Sequence, residues 1–210
     1  MANLELVKNS VIEGNVAGAA AETKACLESG MDPLEIINQG LVAGMNVVGP
    51  RFKAGEMFVP EVLMSAKAMH AGMELVKEKL VDFEMPSEGK VVIGTVKGDL
   101  HDIGKNLVAI MLESSGYDVV NLGVDIPPEK FAEAVKEHNP QVVGLSALLT
   151  TTMLAMKETI DYLKEEGLRD QVKVIIGGAP VTEDFSVEIG ADGYAPDGGS
   201  AVELVKGLLA

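Results

Sequence analysis

The chain has 210 residues, enough for one large domain or two small ones, and its 47% hydrophobic and 4% aromatic content means that Val, Leu, Ile, Ala and Met must fill the core. A formal net charge of −15 argues against nucleic acid or an anionic membrane as partner, since either would repel it, and suits a protein that docks with other proteins. Cys26 is the only cysteine, which excludes an internal disulfide and a thiolate zinc cluster and fits a reducing cytoplasm; the first residues lack the features of a signal peptide, and no stretch is apolar for long enough to span a bilayer.

The first half reads as helix. Leu4, Val7, Val11 and Ile12 recur at helical spacing, and Gly14-Asn15 can end that segment. An Ala-rich helix is expected from about Val16 to Glu28, closed by Gly30. Asp32-Pro33 then starts a third, carrying Ile36, Ile37, Leu41, Met45 and Val48 and running out near Lys53-Ala54-Gly55. Pro60 opens a fourth with Leu63, Met64, Ala68, Met69 and Leu75. Eight of the 11 methionines precede residue 88, where their flexible thioethers suit the gaps of a helical core.

Met85-Pro86-Ser87-Glu88-Gly89 has the composition of a linker, which divides the chain into a helical domain, 1–88, and a second domain, 89–210. Beyond it, short β-branched runs alternate with amphipathic segments. Strands are expected at Lys90 to Val96, Asp118 to Leu122, Val142 to Ser146, Val172 to Ile176 and near Tyr194; helices are expected at about 103–115, 128–138, 152–166, 182–189 and 198–209. Continuous apolar strands in such an alternation imply a parallel sheet covered on both faces, and five units suggest a flavodoxin-like, doubly wound Rossmann-type sheet of order 2-1-3-4-5.

A ligand of such a sheet lies at the carboxyl ends of the strands, at the switch point between the first and third. The first strand runs into Lys97-Gly98-Asp99-Leu100-His101-Asp102-Ile103-Gly104, the third into Ser146-Ala147-Leu148-Leu149-Thr150-Thr151-Thr152, and the fourth into Gly177-Gly178, so three unusual segments share one crevice. Asp99 can take the proton on one ring nitrogen of His101, orienting the ring and leaving the other nitrogen for a metal. Gly98 and Gly104 let backbone approach a bulky ligand, although turn geometry and helix–strand packing account for such glycines equally well. Other chemistries of the same sheet lack their residues. A phospho-receiver needs an acid after the third strand and a lysine after the fifth, where Ser146 and Ala195-Pro196-Asp197 stand. A flavin site wants a Ser/Thr/Gly phosphate loop where this chain has Asp99 and Asp102, and Gly94, Gly98 and Gly104 are misspaced for a dinucleotide fingerprint. His70 and His138 fall on predicted helices and read as surface residues.

Asp99-x-His101-x-x-Gly104, Ser146-x-Leu148 and Gly177-Gly178, at these separations, resemble the signature of cobalamin-binding domains. Upstream, Gly44-Met45-Asn46-Val47-Val48-Gly49 and Phe52-Lys53-Ala54-Gly55-Glu56-Met57-Phe58-Val59-Pro60 resemble the helical cap of methionine synthase and of corrinoid methyl carriers. The likeness covers nearly the whole chain and points to the small corrinoid proteins of methylamine, methanol, betaine or aryl-ether methyltransferase systems. It implies a four-helix cap before the α/β domain and a cobalamin or related corrinoid that cycles between methyl-Co(III) and Co(I). By the same resemblance His101 would be the lower axial ligand to cobalt, with the cofactor's own base displaced. Asp99 would hold His101, and Thr152 would complete the relay, keeping the hydroxyl of the serine in methionine synthase and adding a methyl. Ser146 and Thr150 would meet the displaced nucleotide tail, and Leu148 belongs to the same motif. Gly177 and Gly178 would line the tail's slot, Gly98, Asp102, Ile103 and Gly198 would lie against the corrin or the tail, and Phe52, Val59 and Val62 would cover the methyl-bearing face.

The function so implied is a methyl shuttle between a substrate-specific methyltransferase and a second methyltransferase that passes the group to tetrahydrofolate or coenzyme M, with a reductive activase as a further partner. It is a carrier subunit rather than a complete enzyme. The alternatives are a cobalamin-dependent sensor, which would normally carry an output domain, a corrinoid store, and the small subunit of an adenosylcobalamin mutase, which would not need a helical cap.

Overall fold

A computed structural model describes residues 3–77 and 87–210; Met85 and Pro86 of the expected linker lie outside the described residues. The chain divides into two compact units, Met1–Pro86 with Ser114–Gly116, and Ser87–Glu113 with Tyr117–Ala210.

The helical unit is built from α1 (Leu4–Ile12), α2 (Val16–Glu28), α3 (Pro33–Glu35), a π-helical segment (Ile36–Val42), α4 (Ala43–Lys53) and α5 (Val59–Lys77). Its starts carry side-chain caps: Asn3 accepts from the Glu5 N–H, Asn15 from Gly18 and Asp32 from Leu34, each satisfying a donor that the first turn leaves free. The expected third helix is therefore continuous from 33 to 53 but not uniformly α. Ile36 and Leu41, five residues apart, are both buried there, and apolar periodicity alone does not separate i→i+5 from i→i+4 bonding. Val7, Val11, Ile36, Leu41, Val48 and Met69 fill the interior.

The second unit alternates β1 (Lys90–Thr95), α6 (Ile103–Ser114), β2 (Asp118–Asn121), α7 (Pro128–His138), β3 (Val142–Ser146), α8 (Leu154–Glu165), β4 (Lys173–Gly177), α9 (Glu183–Ile189), β5 (Gly193–Tyr194) and α10 (Gly198–Leu209). The sheet is wholly parallel in the order β2-β1-β3-β4-β5, as the alternation predicts. Neighbouring strand residues go to opposite faces. Val92, Val143, Val174 and Ile176 join Phe131, Met156 and Ile160 in one core, while Val91, Val142 and Ile175 join Leu112 and Val205 in the other. Burial on both faces is what makes these strands continuous apolar runs. The register pairs Thr95 with Ser146 and Ser146 with Gly177, which sets the ends of β1, β3 and β4 side by side. Among the described residues no helix is long and apolar enough to cross a membrane.

Candidate functional site

Asp99 is the centre of the crevice. It lies in the loop after β1, its side chain is wholly buried, and both carboxylate oxygens are filled. Oδ1 accepts the backbone N–H of His101 at 3.1 Å and contacts His101 Nδ1 at 2.7 Å. Oδ2 accepts from the Thr152 hydroxyl at 2.7 Å and from the N–H groups of Leu148 and Leu149 at 2.7 and 3.2 Å. Burial alone would push this carboxyl's pKa up, but the hydrogen bonds from Thr152, Leu148 and His101 outweigh it and hold the group well below the usual carboxylate range. An ionised carboxylate only accepts, so Nδ1–H of His101 is the donor in this contact and Nε2 is the ring nitrogen left outside it. The His101 side chain is half exposed, and the Thr95 hydroxyl, at the end of β1, donates to its carbonyl at 2.9 Å.

The loop is held from both neighbouring strand ends. Leu148, Leu149 and Thr152 belong to the turn after β3; α8 starts only at Leu154, so Thr152 lies in the turn before it. On the other side, the nearly buried Lys105 donates to Asn106 Oδ1 at 2.6 Å and to Asn121 Oδ1, at the end of β2, at 2.7 Å. Asn106 in turn donates to Asp102 at 2.9 Å. Burial lowers the Lys105 pKa, with Asp102 opposing that shift. This network ties the first turn of α6 to β2. Sequence reasoning missed it, because a lysine and an asparagine on an amphipathic helix read as solvent-facing.

The glycines divide by cause. Gly98 sits at φ +82°, which the turn itself requires, and the Thr152 methyl lies beside it. A β-carbon on Gly178 would stand 1.8 Å from the Ala147 carbonyl oxygen, and one on Gly177 2.9 Å from that of Ala195, so the neighbouring strand ends demand both. Gly198, first in α10, packs against Met111. Gly104 differs: it is exposed on α6, and a β-carbon there would meet nothing within 4 Å. Ser146 is half-buried at the end of β3, Thr150 and Asp102 are exposed, and Leu148 and Ile103 are exposed apolar residues, Ile103 by 81%. Leu100, Leu149 and Leu154, not singled out from the sequence, are also exposed, so the segments that follow β1 and β3 present large apolar side chains to solvent. In the helical unit Phe52 is half-buried, Val59 partly exposed and Val62 buried, while Phe58 is 72% exposed.

Two family profiles, each described as a B12 binding domain, match residues 4–77 and 89–206. The chain belongs to the B12-binding corrinoid proteins. A corrinoid protein of Desulfitobacterium hafniense (strain Y51) is 42% identical over 212 residues, covering 100% of this chain and 98% of the relative. The dimethylamine corrinoid protein 1 of Methanosarcina acetivorans is 50% identical over 181 residues, covering 86% of this chain and 85% of that one. In the crystal structure of the methanol:cobalamin methyltransferase complex of Methanosarcina barkeri, one chain superposes with a TM-score of 0.89 at 34% identity, covering 98% of this chain and 79% of that chain. The cofactor of this corrinoid protein is cobalamin or a related corrinoid.

The residues present fit that group. His101, half exposed and held at Nδ1 by Asp99, would offer a corrinoid's cobalt one nitrogen. Exposed Leu100, Ile103, Leu148 and Leu149 match the apolar edge of a macrocycle. Gly104 leaves a side-chain-free patch on α6 that the protein's own packing does not explain.

Proposed function

We propose that this chain is a methyl carrier: it holds a corrinoid through His101 Nε2 with the cofactor's own base displaced, and presents it in turn to a methyltransferase that loads it and one that unloads it. The carrying observation is the histidine fixed at Nδ1 by the buried Asp99 carboxylate, 2.7 Å away, at the carboxyl end of β1. When bound, the corrinoid supplies a cobalt centre that takes up and gives away a methyl group. The likeness to proteins named for dimethylamine and for a methanol:cobalamin complex supports methyltransferases as partners, and a reductive activase belongs to the same reading.

The protein's part would be to hold and orient the imidazole that meets the cofactor. Asp99 keeps the imidazole in the tautomer that leaves Nε2 basic. The Thr152 hydroxyl has one proton and two acceptors in reach, Asp99 Oδ2 at 2.7 Å and the Leu149 carbonyl at 2.9 Å. Were Nε2 to hold a proton in place of a metal, the ionised Asp99 carboxylate would pair with the resulting imidazolium through Oδ1 while Oδ2 keeps its bond from the Thr152 hydroxyl. Ser146, Thr150, Gly177 and Gly178 line the side of the crevice where a nucleotide tail would pass, and Gly98, Asp102, Ile103 and Gly198 belong to the wall around it. Of the residues expected over the methyl-bearing face, Phe52 and Val59 reach the surface of the helical unit, whereas Val62 is buried in its core and is not available to a ligand.

The test is the electron paramagnetic resonance spectrum of the Co(II) state in protein grown with ¹⁵N-histidine. Axial ligation by histidine turns the nitrogen triplet into a doublet; an unchanged triplet overturns the ligand assignment. His101→Ala is expected to bind weakly or without an axial nitrogen. Carriage itself is tested by reducing the loaded protein and offering methyl donors with their methyltransferases, and free methyl iodide. Failure to take up methyl from any of them removes the shuttle.

A further inference from the structure

Asp125 lies outside every motif considered above and has an unusual backbone. In the turn between β2 and α7 it adopts φ +55°, a left-handed conformation that Asp tolerates and glycine takes with less strain. Its two polar groups both go to the histidine loop. The Asp125 N–H donates to the Asp99 carbonyl at 3.0 Å, and its Oδ1 accepts the N–H of Gly98 at 2.7 Å. Asp125 thus grips the main chain of the two residues on which the placement of the Asp99 side chain depends, and Asp99 holds His101.

We propose that Asp125 is a positioning residue for the axial histidine, acting through the Gly98–Asp99 main chain without touching the cofactor. The inference rests on corrinoid ligation by His101. The fold itself does not depend on this carboxylate. Flanking backbone bonds, Thr95 N–H to the Gly123 carbonyl and Ile126 N–H to the Thr95 carbonyl, each at 3.0 Å, already tie the turn to β1, and Asp125 is exposed. What the side chain adds is the partner of one loop N–H, and with it a single position for Asp99. The Asn121–Lys105 network holds the far end of the same loop, at the start of α6.

Three substitutions separate the backbone contribution from the carboxylate. Asp125→Gly relieves the left-handed strain but removes the acceptor, Asp125→Ala removes the acceptor and adds strain, and Asp125→Asn keeps an acceptor and tolerates the conformation. Each is loaded with hydroxocobalamin, and the dissociation constant, the Co(II) histidine coupling and the thermal midpoint are measured. For Asp125→Gly the expectation is an unchanged or higher midpoint, a histidine-ligated fraction that falls, and a dissociation constant that rises about fivefold, the worth of one net hydrogen bond. Asp125→Asn should restore both to within about twofold. A glycine variant with wild-type affinity and wild-type histidine coupling overturns the assignment. So does an asparagine variant that loses affinity with its histidine coupling intact, which would mark direct contact with the cofactor. Wild-type protein without histidine coupling overturns the ligand reading as well, whereas wild-type coupling with an unaffected glycine variant overturns only the role of Asp125.

Discussion

The tightest glycine contacts of the two units, among the described residues, differ in kind. In the helical unit glycine clears a helix face so that another helix can approach: a β-carbon on Gly44 would stand 2.7 Å from two carbons of Val11, and one on Gly72 2.5 Å from Leu41. In the α/β unit the telling glycines stand where strands end, Gly98 in a left-handed turn and Gly178 under the Ala147 carbonyl. The first kind serves packing between helices and the second serves the backbone at the mouth of a crevice. Gly104 belongs to neither, since it is exposed and a β-carbon there has nothing to strike. A glycine that the protein's own contacts explain says little about a ligand; one that they leave unexplained says more.

The most damaging break falls at a strand end. Gly178→Ala puts a carbon 1.8 Å from backbone oxygen, at φ +131°, where no side-chain rotation helps, and should cost about 3 kcal/mol or more in denaturant unfolding. A near-neutral result would mean that the ends of β3 and β4 are free to part. Gly44→Ala tests the other use. Its β-carbon meets the branched Val11 and the Lys8 carbonyl oxygen at 3.0 Å, so the gain of about 1 kcal/mol in helix propensity is outweighed by overpacking of about 1–3 kcal/mol. A net cost below that of Gly178→Ala is expected from the same measurement, and the reverse order would erase the contrast between the units.

Thr152→Val removes one hydroxyl from the α/β unit while keeping the volume. The buried Asp99 carboxylate then loses a donor, at a cost of about 1–2 kcal/mol at neutral pH. The pH dependence has a definite sign. Asp99 has a depressed folded-state pKa, so its contribution is present above the unfolded value of about 4 and is lost as pH falls through the folded value. Losing the Thr152 donor raises the folded value, so the acid transition of the variant apoprotein should begin at higher pH than that of wild type. Superimposable acid transitions followed by circular dichroism would show that the hydroxyl does not stabilise the carboxylate.

Much of this organisation is legible in the residues before any coordinates. The five strands are continuous apolar runs because both faces of the sheet are covered, and that burial is also what makes the order β2-β1-β3-β4-β5 inferable from the alternation. Asp99 and His101 stand out because polar residues converge on strand ends, whereas Thr152, the last of three successive threonines, is picked out by the family resemblance alone. The π-helical stretch Ile36–Val42 is not legible, since residues one turn apart share a face in either kind of helix. Nor is the burial of Lys105, which depends on Asn121 arriving from β2. The strain at Asp125 depends on which backbone atoms its turn must reach, and residue type carries no record of that.

The smallest expected effect on stability makes the sharpest distinction. Gly104→Ala lies in the first turn of α6, on an exposed helix position with open space around the new methyl. On helix propensity alone the apoprotein should become more stable, by up to about 1 kcal/mol, the opposite sign to the other glycine substitutions. The bound corrinoid reverses the sign if the bare patch is where it rests. The substitution should then raise the thermal midpoint of the apoprotein while weakening hydroxocobalamin binding, so the stabilisation conferred by saturating cofactor shrinks as mass action requires. Equal affinity in the two proteins would return Gly104 to the ordinary surface and leave the apolar residues beside His101 as the wall against which the cofactor lies.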